Sequence, residues 1–424
     1  LLLPSPFSLK RRAGIIPVLT KLRKRMKRIL ILATTLLVAV SCNKITFDDS
    51  VPATPDTAQP VQFGSGAPTV EITKANIALG DGSNGTLKMD RIGIFAFRSA
   101  TVPATATAAA TALWHNSSND KTANVSYHFF DDQQNQPTSK YYREEQQSGK
   151  SPLLFWPASG TANAELTFLG YFPWVASATA SAPGMPAAPN QRAYVDNTTF
   201  QLKADLSDQT IQTGKTEVYD YGFAWATPLL NVARPADPAN NRQKLIFSYK
   251  VAKITLVVKG EDEDGLQVSA GGAKDKGLKA IKIYSKTGGL CSDFTLDLLK
   301  GVVATGSTAA TETTPIKIQP VNNPGDPTAT VPIKPYIDAI GYLVPVTGTD
   351  LNTDSDPAKN GIVIEVVHND GNKDQSYSAN INSTTVTNPS TGGKPDLTGG
   401  IEAGKNYKYT VKFGKNGLTF TGQV

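Results

Sequence analysis

Near its end the chain alternates with period two: Tyr407, Tyr409, Val411 and Phe413 fall on one side of an extended backbone, and Lys408, Thr410 and Lys412 on the other. A helix would scatter these aromatic residues around its circumference. The segment is therefore a strand with one buried and one wet face, the form that antiparallel sandwiches require. The same pattern recurs upstream. Ile254, Leu256 and Val258 share a face, and Ile281 and Ile283 oppose Ala280 and Lys282. Apolar strands are expected at Ile92–Phe97 and from Leu166 to Trp174, an alternating one from Val70 to Ile77, and a turn at 81–85. With 35 Gly, 28 Pro and only 18% charged residues, short strands and turns are favoured over long helices. The expected fold class is all-β, with the Ala/Thr-rich stretch 99–112 and the Ala/Pro-rich stretch 176–192 as loops.

A chain of 424 residues exceeds one compact core, so two domains are expected behind a leader. The Pro-, Ala- and Asn-rich stretch 228–242 separates two strand-rich blocks of similar size. It places β-sandwich domains at 61–238 and 239–424, with a flexible tether at 42–60.

Residues 1–41 read as an upstream extension followed by an export signal. From Met26 the chain runs Met-Lys-Arg, then Ile29 to Val40 without a charge, then Ser41-Cys42-Asn43. That uncharged, mostly apolar run of 12 residues is too short to cross a bilayer as a helix and suits a signal peptide. Cys42 at the cleavage point resembles a lipobox cysteine, although Ala39 stands where Leu, Val or Ile is usual. An ordinary secretory peptide with an incidental cysteine is the other reading. The leader also explains the charge. Residues 1–41 hold nine Lys or Arg and no acid, leaving 33 basic against 36 acidic residues beyond them, a net of −3. The apparent basicity of the chain thus belongs to its leader, and nucleic-acid binding loses its support.

Chemistry-bearing motifs are sparse. The three histidines, His115, His128 and His368, lack metal-ligand spacing, and no His-Glu-x-x-His, Gly-x-Ser-x-Gly or phosphate loop occurs, so neither an enzyme nor a cofactor is expected. Asp350, Asn352, Asp354 and Asp356 put oxygen ligands at every second position, as a calcium loop begins. Ser355 replaces its turning glycine and Gly361 its bidentate Glu, so a solvated loop is the plainer reading. Glu261 to Gly265 reads as a charged turn. Cys291 has no activating neighbour in the sequence and reads as a small buried hydrophobe. Trp156 and Trp174 could form a sugar-stacking platform, but their apolar neighbours point first to core packing. In the tether, Asp49-Ser50-Val51 and Asp56-Thr57-Ala58 resemble an O-glycosylation signal on Ser50 and Thr57.

Taken in order, several short phrases resemble the fimbrillin family, the lipoprotein pilin subunits of type V pili. They are Thr73-Lys74-Ala75, Asp90-Arg91-Ile92-Gly93-Ile94-Phe95-Ala96, Phe155-Trp156-Pro157, Leu166-Thr167-Phe168, Tyr171-Phe172-Pro173, Leu245-Ile246-Phe247, Ala252-Lys253-Ile254, Leu278 to Tyr284, Phe294-Thr295-Leu296, Tyr342-Leu343-Val344-Pro345 and Ala403 to Tyr409. Leu245-Ile246-Phe247 resembles the phrase that opens the family's second domain. The resemblance implies two transthyretin-like β-sandwiches in tandem, a lipid anchor in the outer membrane at Cys42, surface exposure in a fimbrium, and other fimbrial subunits as partners. It also implies proteolysis after a basic residue near the first strand, which opens a groove for a neighbour's strand. The family's Arg is Lys74 here, and Lys88 and Arg91 are the next basic residues, so either a protease accepting Lys cuts or the subunit stays uncut. The C-terminal Leu418 and Phe420 alternate as a donor strand would, or pair within their own domain. The alternative function is an outer-surface lipoprotein, an adhesin that binds glycans or host ligands without polymerising, and host or bacterial surface ligands are further candidate partners.

Overall fold

The structure, a computed structural model, describes residues 59–64, 91–115, 124–131, 140–144, 154–157, 165–175, 177–178, 193–210, 222–235, 242–260, 277–320, 336–351, 353–354, 360–369, 373–381, 397, 399–414 and 417–423. Two units divide the chain. The first, Leu1–Thr57, lies outside the described residues, and the second, Ala58–Val424, is the body described below.

Its first half runs through β1 (Gln59–Pro60), β2 (Gln62–Gly64), β3 (Arg91–Phe97), helix α1 (Ala106–Ala112), β4 (Val125–Asp131), β5 (Lys140–Glu144), β6 (Phe155–Trp156), β7 (Leu166–Phe172) and β8 (Ser177–Ala178). There follow β9 (Ala193–Asp196), β10 (Gln201–Asp205), β11 (Asp208–Gln209), β12 (Ala224–Ala226), β13 (Leu229–Val232), β14 (Gln243–Lys244) and β15 (Phe247–Tyr249). The second half holds β16 (Ala252–Gly260), β17 (Gly277–Tyr284), β18 (Asp293–Asp297), β19 (Val302–Thr305), β20 (Ile316–Pro320), β21 (Tyr336–Leu343) and β22 (Val346–Thr347). A short helix α2 (Gly348–Leu351) leads to β23 (Ile362–Asn369), β24 (Asp374–Ile381), β25 (Gly400–Ile401), β26 (Asn406–Gly414) and β27 (Gly417–Gln423).

One sheet is ordered β14-β2-β5-β4-β3-β7-β12-β15, with β13 also on β7. Its two end strands are separated in the chain only by Leu245 and Ile246, so the sheet closes on itself. Ile92, Ile94, Phe168, Val125, Tyr127, Leu245 and Phe247 fill its interior. The opposite face of β3 and β7 is buried as well. Phe95, Phe97, Leu169 and Tyr171 meet Val195, Leu202, Phe294 and Leu296 of a five-stranded sheet ordered β19-β18-β10-β9-β8. Burial on both faces is why β3 and β7 read as continuous apolar runs rather than as alternation.

The remaining large sheet follows the order β24-β23-β17-β20-β21-β16-β26-β27, and its end strands β24 and β27 lie beside each other. Its core holds the residues that period two marked: Ile254, Leu256, Val258, Ile281, Ile283, Tyr407, Tyr409 and Val411 are all buried. Each such side chain contributes about 1.5–3 kcal/mol on leaving water.

The two chain halves interlock. Hairpin β9–β10 pairs with hairpin β18–β19 through antiparallel β10 and β18, Gln201 opposite Asp297 and Asp205 opposite Asp293. Strands of the first closed sheet run to Tyr249, past the stretch 228–242, so a cut at residue 238 would leave that sheet open. Two expectations are corrected, the first because residues 177–178 of the expected loop 176–192 form β8, parallel to β9. The stretch 99–112 is not all loop: residues 106–112 form α1, capped by Thr105, whose side chain accepts from the Ala108 N–H at 3.2 Å. Five of its seven residues are Ala, the strongest helix former, and Ala109 buries itself against the second core.

Candidate functional site

The first closed sheet is sealed by a ribbon, residues 59–64. In β1, Gln59 and Pro60 pair with Trp156 and Phe155 of β6. The Val61 N–H donates to the Leu154 carbonyl at 3.2 Å, and the Tyr127 hydroxyl donates to the Val61 carbonyl at 3.1 Å. Strand β2 then inserts between two neighbours, antiparallel to β5 (Gln62 opposite Arg143, Phe63 opposite Tyr142) and parallel to β14 (Gln243 beside Phe63). Val61 and Phe63 point into the core and are each 1% exposed. The Phe63 ring meets Tyr127 and Phe168 edge-on at 5.3 and 5.2 Å. Burial, with Glu144 adding to it, pushes the Tyr127 phenol well above its ordinary pKa, so its proton stays available to Val61. On the outside, Arg242 Nε donates to Gln62 Oε1 at 2.9 Å, and its guanidinium lies 3.9 Å from the Tyr141 ring.

The ribbon lies in a slot between β5 and β14. Its floor of Tyr127, Phe168, Leu154 and Trp156 takes apolar side chains two residues apart, while the edges of β5 and β14 supply backbone donors and acceptors. Sequence reasoning placed the tether up to residue 60 and the first strand at Val70–Ile77, which lies outside the described residues. The available signal was the Val61-Gln62-Phe63 alternation between Pro60 and Gly64.

Of the sequence-derived site residues, Cys42, Ser50, Thr57 and Lys74 lie outside the described residues, as do Asn352, Asp356 and the 261–265 turn. Arg91 is exposed but opens β3, and its carbonyl accepts from the Trp174 N–H at 3.0 Å. Leu418 and Phe420 sit in β27, opposite Phe413 and Val411 of β26 in an antiparallel hairpin.

The acidic stretch is partly committed elsewhere. Thr347 Oγ1 donates to Asp350 Oδ2 at 2.6 Å while accepting from the Asp350 N–H at 3.2 Å, which caps α2. Asn360 closes the loop on the Asp354 backbone, accepting from its N–H at 3.0 Å and donating to its carbonyl at 2.8 Å. Among the described residues no group of three or more His, Cys, Asp or Glu is placed to hold a metal ion. Trp156 is buried edge-on against Phe168, and Trp174 is half-buried with its Nε1 donating to the Asn124 carbonyl. Their rings thus serve packing. Cys291 corrects an expectation: it is half-buried rather than fully buried, in an isolated bridge to Ala309. Burial and then the carboxylates of Asp293 and Asp350 push its thiol up, which disfavours the reactive thiolate.

No curated protein matches the chain. Among solved structures, a candidate cell adhesion protein from Bacteroides ovatus is 17% identical, covering 87% of this chain and 97% of that one at a TM-score of 0.44. A fimbrial protein from Bacteroides vulgatus is 11% identical over 87% of this chain and 98% of that one, TM-score 0.36. The tip fimbrial protein Mfa3 from Porphyromonas gingivalis, truncated at its C-terminus, is 12% identical over 87% of this chain and 99% of that one, TM-score 0.34. The fimbrillin-like family model matches residues 73–424, from just before the candidate cut at Lys74 to the last residue of the chain. The chain belongs to the fimbrillin-like family.

Proposed function

We propose that this chain is a fimbrial subunit, exported as a lipoprotein on Cys42 and organised as two transthyretin-like sandwiches in tandem, which joins its neighbours by exchanging strands. The observation that carries the reading is the place of the ribbon. Residues 59–64 fill a gap in a closed sheet, and Lys74 falls between them and β3, so one cut there detaches them from everything that follows. Arg91 is the poorer site, because its backbone is paired within β3 and a protease needs an extended, accessible stretch.

Loss of the ribbon leaves the Tyr127 hydroxyl without the Val61 carbonyl and opens the edges of β5 and β14. A neighbour's strand restores both. Strand β27 has the matching spacing, Leu418-Thr419-Phe420 against Val61-Gln62-Phe63, with apolar residues at the same two positions and a polar one between. Such contacts run head to tail and do not close, so they grow a filament. The partners are other fimbrial subunits and, through the acyl chain on Cys42, the outer membrane. Ser50 and Thr57 lie in the tether as sites for glycan.

The N-terminal residue of the protein recovered from cell-surface filaments tests this. A start at Ala75 is expected. Filaments whose subunits start at Cys42 contradict ribbon removal, and a monomeric surface protein starting at Cys42 is the non-polymerising, ligand-binding alternative.

A further inference from the structure

Two of the sheets curve until their ends meet, whereas the five-stranded sheet β19-β18-β10-β9-β8 stays open. At one end β8 is two residues long, the short form that keeps an edge from recruiting another chain. The other end is β19, Val302-Val303-Ala304-Thr305. Among the described residues it pairs with β18 alone, in an unbroken register from Asp297 opposite Val302 to Phe294 opposite Thr305. The usual guards against edge pairing are missing, since the strand holds no charge, no proline and no bulge. Its Val302 is 57% exposed, more than any other large apolar residue described.

The backbone direction of this edge follows from one hydrogen bond. The Gly306 N–H donates to the Asp293 carbonyl at 2.8 Å, and antiparallel backbone alternates, so Ala304 and Val302 also turn their polar groups toward β18. The N–H and C=O groups of Val303 and Thr305 therefore face outward. An extended strand laid alongside would pair with them.

The edge fits a second copy of itself. An antiparallel copy must set outward-facing residues against each other, and the register that does so within the strand places Val303 of each copy against Thr305 of the other. Ala304 then lies on the two-fold axis, and every facing side chain is small or β-branched and uncharged. Charges complement at the strand ends. The Asp293 carboxylate reaches past Gly306 to accept the Thr308 N–H at 2.8 Å, so pairing brings it toward the end of the other copy's β19 that Lys300 precedes. That lysine side chain is 64% exposed, with Asp297 at 3.0 Å.

We infer that β19 is a lateral contact between copies of this chain, made by antiparallel pairing about a two-fold axis through Ala304, which joins two five-stranded sheets into one. About four backbone bonds over so short a strand bury far less than a stable dimer needs, so single chains stay apart in dilute solution. Copies crowded on one surface, or repeated along adjacent filaments, meet at high local concentration, and their weak contacts add. The edge belongs to a different sheet from the ribbon slot. The inference therefore uses the fimbrial reading only for the display of many copies, and stands whether or not strands are exchanged.

Cysteine trapping tests it on concentrated, uncut mature chain carrying Cys42→Ser and Cys291→Ala. Across the axis Ala304 forms a non-hydrogen-bonded pair with itself, Cα atoms about 4.5 Å apart, within disulfide reach. Val302 lies four positions out of register from its own copy, about 13 Å away. Under a copper-phenanthroline oxidant, Ala304→Cys should give disulfide dimers on non-reducing gels at least about tenfold faster than Val302→Cys. Adding Thr305→Pro removes an outward N–H that β18 does not use, and should slow trapping at position 304 by about tenfold or more. Thermal melts check that this variant folds. Since the comparison of positions 302 and 304 stands by itself, a misfolded Thr305→Pro does not rescue the idea. Absence of trapping at 304, equal trapping at 302 and 304, or trapping undiminished in folded Thr305→Pro overturns it, while strand exchange at the slot is left untouched.

Discussion

Two sheets in this molecule curve until their ends meet, but what seals them differs. The first is closed by the ribbon 59–64, whose β2 pairs over three residues with β5 and over two with β14. At the second seam lies β27, whose seven residues all pair with β26 and which is joined to it in a hairpin. A strand held by few backbone bonds opens at a lower free energy than one zipped along its length. Yet the ribbon buries two anchors, Val61 and Phe63, deep in the core. It is easy to detach as backbone and costly to lose as packing. That combination suits a segment that keeps a subunit soluble until something better packed replaces it.

The largest expected effect tests this asymmetry at its anchor. Phe63→Ala should destabilise the chain by about 3–5 kcal/mol in urea unfolding, and hydrogen exchange should accelerate at Val61 and Phe63 while β16 and β26 stay protected. Equal acceleration in both closed sheets would remove the distinction between them. A second substitution tests how the two regions are tied. Gln209 is buried, its Nε2 donating to the Leu206 and Tyr342 carbonyls at 3.1 and 2.8 Å and its Oε1 accepting from the Tyr342 N–H at 2.8 Å. Gln209→Ala strands those backbone groups and should cost about 1–3 kcal/mol, with unfolding splitting into two steps. A single undiminished transition would show that the halves are held by packing alone.

Smaller effects sharpen the picture of the slot. Tyr127→Phe removes only the hydroxyl that holds Val61, so it should cost about 1 kcal/mol and speed ribbon exchange without altering β27. Unchanged exchange at Val61 would show that this hydrogen bond does not hold the ribbon. The smallest concerns pH. At Asp196, burial raises the carboxyl pKa, but hydrogen bonds from Thr198 and Thr199 outweigh it and leave the pKa below the ordinary 3.8. A depressed pKa in the folded state contributes stability that is present above 3.8 and lost as pH falls through the lower folded value. Hairpin β9–β10, over the first sheet, should therefore loosen in acid before the second sheet does, and Asp196→Asn should abolish that difference in a thermal melt between pH 5 and about 2.

How much of this was legible depends on how local the cause is. Ile254, Leu256 and Val258 announced their strand because one face is buried and one wet. Strands β3 and β7 were legible as apolar runs, although not the reason, that Phe95 and Phe97 pack one way while Ile92 and Ile94 pack the other. Helix α1 was missed because Ala and Thr at 106–112 carry no amphipathic signal, only propensity. The slot was the hardest. Three residues, Val61-Gln62-Phe63, are too short to register as a strand, and their partner Gln243 is distant in the sequence. The acidic stretch shows the converse: ligand spacing was visible at Asp350, but Thr347 had already engaged that carboxylate as a helix cap.

The most direct test of the account is assembly of the mature chain before and after proteolysis between Gly64 and Arg91, followed by light scattering and electron microscopy. The account predicts that uncut chain stays monomeric, and that cut chain, its ribbon released, forms filaments whose growth excess ribbon peptide blocks. Filaments from uncut chain, or growth indifferent to that peptide, would contradict it.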